Sequence, residues 1–587
     1  MKAKPSANKE QRRATASPEP SRALQSVLGR KWERLPALMF VLGFAVCGAA
    51  SVLMGQDNNW DLRNYHYYNP FAFITGRIGY DFAPAQRQSY LNPLLDLPFY
   101  FGTTYLDPKL YAFLMGGVHG LSFGLLFAIS SVVFRKWTPN ARLGMAALCA
   151  ALGLYGPIFI GELGASENDT LITLFVFTPL LLLVRGLAAE SASRTGLVVA
   201  SLIFGMGTGL KPTIAPFAVA TALALLAVVR SWRGRLTALL IWSAAFLAGF
   251  LITNGFWMAK LWQQFHNPFF PFYNDVFKSQ WANISSYADR GVVPKTIGEA
   301  LARPFAVTYP TDYAARSYQV RDLRYAALVV LLGWIVVGWV FRRIRERKKG
   351  QPWPLQSLSV ESRFLLIFFV ASFVIWQAMF GIFRYAAPLE ALAPPLLVVL
   401  VCDLTRRSVA RIALVTLLFV STFLAVKPMD QPRLPFGESF WEVKVPTAAI
   451  TDPPNTLILL ANPRPWAYLA AFLPPEVRWV GMNNNLTKVV DQSHTQMAIR
   501  ALIYGYTGDM FLLSRNKPSV WHDYDRLVMT AYGLQVVESE WWPIESKHSR
   551  PGLRLWRLRR AEGAPGGSEP APPPIPREPA GGPPDPP

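Results

Sequence analysis

Apolar runs of roughly 17–25 residues, separated by short polar links, set the pattern along this chain. That is the length an α-helix needs to cross about 30 Å of hydrocarbon. The pattern predicts eleven membrane helices, near 37–54, 109–134, 143–160, 171–187, 196–210, 213–229, 236–257, 324–341, 364–380, 387–404 and 412–427. As one helix, 196–229 would be about 51 Å long, too long for a single crossing. Gly205, Gly207, Gly209 and Pro212 offer a break, so two helices are expected there.

Basic residues fix the expected orientation. Arg135/Lys136/Arg142, Arg185/Arg194, Arg230/Arg233/Arg235, the cluster 342–349 and Arg406/Arg407/Arg411 fall in alternate loops, which places those loops and the N-terminus in the cytoplasm. A multi-pass protein of the cytoplasmic (inner) membrane is expected, with three large outer segments: 55–108, 258–323 and everything from about 428. Residues 37–428 form the membrane domain. Residues 1–36 are expected to be a disordered basic tail, and the Pro/Gly-rich 561–587 a second one. Between them, 429–560 changes character. Thr456 to Leu460 has the composition of a buried strand, a helical run follows near 464–473, and strand-like runs cover 534–537 and 553–558. A small α/β domain on the outer face is expected. The fold class is thus an all-α polytopic membrane protein carrying an extracytoplasmic α/β domain.

Composition agrees. Of 587 residues 52% are hydrophobic and 16% charged, and the mean hydropathy is +0.23. The net charge of +21 is accounted for by loops that obey the positive-inside rule, so nucleic acid is not an expected partner, whereas the lipid bilayer is. Cys47, Cys149 and Cys402 lie in apolar segments without disulfide or metal-ligand spacing. No phosphate-binding G-x-x-x-x-G-K-[ST] loop occurs, which disfavours a cytoplasmic ATP-driven role.

Charged groups at a membrane edge are costly and therefore functional candidates. Four places qualify: Asp57/Asp61 after the first helix, Glu167-Asn168-Asp169, Lys211 in the turn Gly209-Leu210-Lys211-Pro212, and Arg384 with Glu390 six residues on. All four fall on the outer side in the expected topology. Acids and cations facing one compartment suit a reaction that deprotonates an acceptor and stabilises a departing phosphate. Simpler roles stay open: Asp61 as a helix cap, Glu167 and Asp169 as loop charges, Lys211 snorkelling to the interface, Arg384 as an interfacial anchor, His66 as a hydrogen-bonded helix residue, and Tyr65 to Tyr68 as an aromatic belt.

Asp61-x-x-x-Tyr65, with Gly76 further on and Pro93-Leu94-Leu95-Asp96-Leu97-Pro98 leading into the second helix, resembles the first outer loop of integral-membrane glycosyltransferases of the GT-C superfamily. Protein mannosyltransferases and lipid A aminoarabinose transferases are members. The segment Trp60-Asp61-Leu62-Arg63-Asn64-Tyr65-His66-Tyr67-Tyr68 is also similar to uncharacterised bacterial proteins grouped with them. The family's paired Glu is Leu62 here. The resemblance implies inverting transfer of a sugar from a polyprenyl-phosphate donor to a glycan, lipid or protein acceptor. Asp61 would be the general base, and Lys211 and Arg384 would bind the donor phosphate. Glu167 and Asp169 would orient those cations or hold a divalent metal (Mg or Mn), as in some relatives. Asp57, Tyr65 and His66 would join the substrate site, Asp57 standing in for the missing Glu and the run Tyr65 to Tyr68 stacking on a sugar. A transporter or flippase for a lipid-linked or amphipathic anion is the alternative, but the chain lacks the paired internal repeats common in transporters.

Overall fold

A computed structural model describes residues 22–190, 193–309, 319–345, 357–515, 520–549 and 552–561. Residues 562–587 of the expected tail 561–587, and residues 1–21 of the N-terminal one, lie outside these residues. Among the described residues, eight helices are long and apolar enough to cross a membrane: Leu35–Met54, Pro108–Val133, Leu171–Ala188, Trp232–Phe265, Arg324–Phe341, Val360–Met379, Phe383–Leu404 and Ser408–Ala425. Shorter helices, Pro139–Leu154, Arg194–Leu210 and Pro212–Val228, stand at the other three expected positions. The protein is a mostly helical membrane protein with a small sheet-containing domain at its C-terminal end.

Three boundaries differ from expectation. The first helix begins at Arg22 rather than near residue 37, because 22–35 is composed mainly of good helix formers. The helix Trp232–Phe265 continues eight residues past 257, since no breaker occurs before Asn267-Pro268. The expected 143–160 helix is interrupted: Pro139–Leu154 ends before Gly156-Pro157, and Pro157–Gly161 is a separate short turn. The expected break in 196–229 is present at Lys211-Pro212.

Membrane helices gain little from mutual hydrophobicity in lipid and associate through close packing of small residues. The first helix and Pro108–Val133 use this device. A Cβ on Gly43 or on Gly120 would collide with the other's carbonyl oxygen. Gly120→Val is therefore expected to force the pair apart, at a cost of about 1–3 kcal/mol from overpacking. Thermal unfolding in detergent should show this loss, and Gly144→Val, where added atoms meet open space, should not.

The C-terminal domain is a six-stranded mixed sheet of β1 (Val443–Lys444), β2 (Thr456–Leu460), β3 (Arg478–Gly481), β4 (Asp509–Arg515), β5 (Leu534–Ser546) and β6 (Leu553–Arg560). Their order across the sheet is β1-β5-β6-β4-β2-β3. β2 runs parallel to β3 and β4, and the other pairings are antiparallel. Side chains alternate between the faces of a strand, and in β2 both sets are apolar. Leu457 and Leu459 pack with Ile499, Ile503 and Val528 of the helices His494–Gly505 and Val520–Ala531. Ile458 and Leu460 face the other way, onto Leu62, Tyr67, Tyr68 and Phe71 of the loop 55–108. The domain thus sits directly on that loop. Phe82 adds to the sheet edge beside Val480, and Gln56-Asp57 pairs with Arg433-Leu434.

Tyr67 and Tyr68, expected to offer a sugar-stacking surface, are buried in this contact. Tyr67 packs against Tyr100, Trp441 and Phe472, and the Tyr68 hydroxyl donates to Asp81. Docking removes both from solvent.

His548 pins the two parts together. Its Nδ1 lies 2.9 Å from Asn58 Oδ1 and its Nε2 2.8 Å from the Phe440 carbonyl, with the ring against Phe440 and Trp441. Burial pushes this imidazole down from 6.5 to about 3, against the pull of the Phe440 carbonyl. A base whose folded pKa is depressed stabilises the fold above its unfolded pKa and loses that contribution as pH falls. The stability advantage of the wild type over His548→Gln is therefore expected to be largest above pH 6.5 and to shrink toward pH 3. Paired thermal melts across that window check this.

Candidate functional site

Five segments far apart in sequence converge at one end of the helical bundle. Asp61 precedes a single turn of π-helix, Leu62–His66, a form that recurs at functional sites. Its approach is fixed by Asp57, which accepts from Asn59 and from the backbone and hydroxyl of Ser166 (2.7 and 2.8 Å), and by Asn59, whose Oδ1 caps Leu62. These bonds tie the loop 55–108 to the loop 161–170. Lys211 occupies the break between two short helices. Asn92 braces that break with bonds to the carbonyls of Gly209 and Thr253. Arg384 lies in the 3-10 turn Phe383–Ala386. The preceding helix stops at Gly381, whose φ of +66° suits glycine. The carbonyl of Gly381 accepts from the buried Arg303 at 2.6 Å.

The charges meet closely. Arg384 Nη1 is 2.9 Å from Asp61 Oδ2 and 2.9 Å from Glu167 Oε1, and its Nε is 3.5 Å from Asp169 Oδ2. Lys211 Nζ donates to Asp169 and Asn168. Gln431, from the segment after the last membrane helix, donates to Glu167. Tyr385 lies beneath both cations, 5.5 Å from Lys211 Nζ and 5.3 Å from Arg384 Cζ, a favourable cation–π geometry. Side-chain exposure separates two layers: Arg384, Lys211 and Asp61 keep 19, 16 and 10%, whereas Glu167 and Asp169 keep 3 and 0%. A ligand can touch the first three, and the other two carboxylates lie behind them.

Burial works to raise the Asp61 carboxyl, but Arg384, helped by His66 and Lys211, holds it below the usual range. Glu167 goes the other way. Burial, together with Asp61, Asp169 and Asp57, pushes it up to about 7 despite Arg384. Glu162, fully buried in the same loop, is pushed well above the carboxylate range by burial and by Asp169 and Glu167.

Of the residues singled out in the sequence, Asp61, Glu167, Asp169, Lys211 and Arg384 are brought together. Asp57 is not in the ion-pair cluster. At 2% exposure, with its oxygens taken by Asn59 and Ser166, it is an anchor rather than a substrate contact or a substitute for the missing Glu. His66 is also buried, with Nδ1 2.7 Å from Asp96 Oδ1. Tyr65 is half-buried beside it, ring centroids 4.1 Å apart. Glu390 points into a separate network with Arg324. Gln431, Ser166, Asp96 and Tyr385 were not anticipated. Only Asp96 had a local signal, as a carboxylate in the Pro-rich segment.

A divalent metal does not fit this arrangement. Among the described residues no group of three or more His, Cys, Asp or Glu side chains could hold one. Glu167 and Asp169 instead face Arg384 and Lys211, which supply the positive charge a metal would bring.

Fold and site together define a polytopic membrane protein with a shared-cation carboxylate centre under a docked C-terminal domain. No protein-family model, curated protein or solved structure matches the chain.

Proposed function

We propose that this protein is an inverting glycosyltransferase of the GT-C type in the bacterial inner membrane. It would have eleven crossings, a cytoplasmic N-terminus and an extracytoplasmic C-terminal domain, and would transfer a sugar from a polyprenyl-phosphate donor to an acceptor on the outer face. The observation that carries this reading is the accessible triad of Asp61, Arg384 and Lys211 at one end of the bundle. Asp61 Oδ2 is held by Arg384, while Oδ1 accepts no hydrogen bond from a described residue. The acceptor hydroxyl approaches that oxygen and gives up its proton as its own oxygen bonds to the sugar carbon. The bond from that carbon to the phosphate oxygen breaks, and the electron pair leaves with the phosphate. Arg384 and Lys211 stabilise the charge developing there, Arg384 with a planar fork and Lys211 as a point charge. Before the donor enters, Glu167 and Asp169 hold both cations in place.

The test is mass spectrometry of surface glycans and polyprenyl-linked sugars in a deletion strain. Loss of one sugar with accumulation of its lipid-linked donor on the outer face, reversed by the wild-type gene, is the expected result. Accumulation confined to the cytoplasmic face would replace this reading with a flippase.

A further inference from the structure

The charge count at the site is out of balance for a protein that receives an anion. Asp61, Glu167 and Asp169 surround two cations and Asp57 is faced by Arg433, leaving four carboxylates on three cations, while Glu162, pushed well above the carboxylate range, stands behind them at 0% exposure with its Oε1 unpartnered. Arg384 Nη1 is already shared by two carboxylates. A phosphate group entering between Arg384 and Lys211 would add negative charge to a buried site that already has an excess, which is strongly unfavourable unless a proton enters too.

The surroundings identify where that proton goes. Asp169 is fully buried on Lys211, and Asp61 is held ionised by Arg384. Glu162 is already pushed well above the carboxylate range, so Glu167, pushed up to about 7, is the carboxylate left to take up a proton near neutral pH. It is faced by Asp57 and Asp61 from the loop 55–108, by Glu162 and Asp169 from its own, by Arg384, and by Gln431 and Arg433 from the segment after the last helix, with Lys211 one step away on Asp169. Gln431 now donates its amide N–H to Glu167, and its Oε1 is buried without a partner. Rotation of that amide would let Oε1 accept from a protonated Glu167. A buried polar atom without a partner carries a cost, and protonation of Glu167 removes it.

We infer that a phosphodiester anion bound between Arg384 and Lys211 displaces Glu167 from Arg384, and that Glu167 takes up a proton and turns to Gln431. This deepens the proposed function and rests on its assignment of an anionic donor. It makes anion binding at this site proton-coupled, so the affinity for the donor depends on pH before any chemistry occurs.

The probe is dibutyl phosphate, a soluble phosphodiester with one negative charge throughout the range, so any proton taken up belongs to the protein. Isothermal titration of the full-length protein in detergent, in two buffers of different ionisation heat, counts that proton. At pH 8 the wild type is expected to take up about one proton per phosphodiester, and its affinity to weaken about tenfold per pH unit above about pH 7. Glu167→Gln should bind without uptake and with a flat pH profile. Binding without uptake in the wild type, or equal uptake in Glu167→Gln, overturns the inference and leaves the proposed function standing. No binding, or binding indifferent to Arg384→Gln, overturns both. The wild-type measurement decides uptake even if a variant fails to fold.

Discussion

Asp61→Asn is expected to abolish sugar transfer while leaving the protein folded and able to bind its donor. A positioned base contributes about 10²–10⁴-fold, and an amide cannot take the acceptor proton. Asn keeps the shape of Asp and an oxygen that can accept from Arg384 Nη1, the bond now 2.9 Å long. Removing one carboxylate from three leaves two against two cations, so the site should hold an anionic donor at least as well as before. The expected signature is therefore a split: turnover falls by two orders of magnitude or more and donor binding does not. In cells complemented at matched expression, the surface sugar should be lost and its lipid-linked donor should accumulate. Full restoration of the sugar by Asp61→Asn would remove Asp61 as the base.

Asp61, Glu167, Asp169, Lys211 and Arg384 were legible in the sequence for one physical reason. Each is a charge beside an apolar run long enough to span a bilayer, where an unpaired charge is costly. Their partners were not legible. That Arg384 bridges Asp61 and Glu167 depends on contacts spanning 323 residues in one case, and no periodicity records such a contact. The strand Thr456–Leu460 illustrates the same limit. Its unbroken apolar composition announces two covered faces, but not that the second cover is the aromatic run beginning at Tyr65. Asp57, Tyr67 and Tyr68 have the local character of substrate contacts, and only docking of the C-terminal domain and the loop 161–170 buries them. Gln431 carried no local signal, since a glutamine just beyond a membrane helix is unremarkable until the chain folds back.

A second buried network, remote from the chemistry, should prove the more fragile part of the fold. Arg324 is fully buried, with its guanidinium bonded to Asp322 (2.8 Å) and to the carbonyls of Leu152 and Glu390 (3.1 Å each). The Glu390 carboxylate lies 3.8 Å from it and accepts from the backbone of Ile158 and Phe159 at 3.2 and 3.3 Å. This network joins the ends of Pro139–Leu154, Arg324–Arg345 and Ala387–Leu404, and it occupies the gap at Gly156 where a Cβ would strike Glu390. Arg324→Met would leave two carboxylates buried together without a cation, at a cost of about 3–5 kcal/mol. Neutralising the acids as well, with Asp322→Asn and Glu390→Gln, should recover a large part of that loss, because uncompensated charge rather than missing volume is the main penalty. Thermal unfolding followed by tryptophan fluorescence compares the two. If the triple variant were as unstable as the single one, the hydrogen bonds to Leu152 and Glu390, not the charge balance, would be what Arg324 provides. The predicted order is wild type, then the triple variant, then Arg324→Met alone.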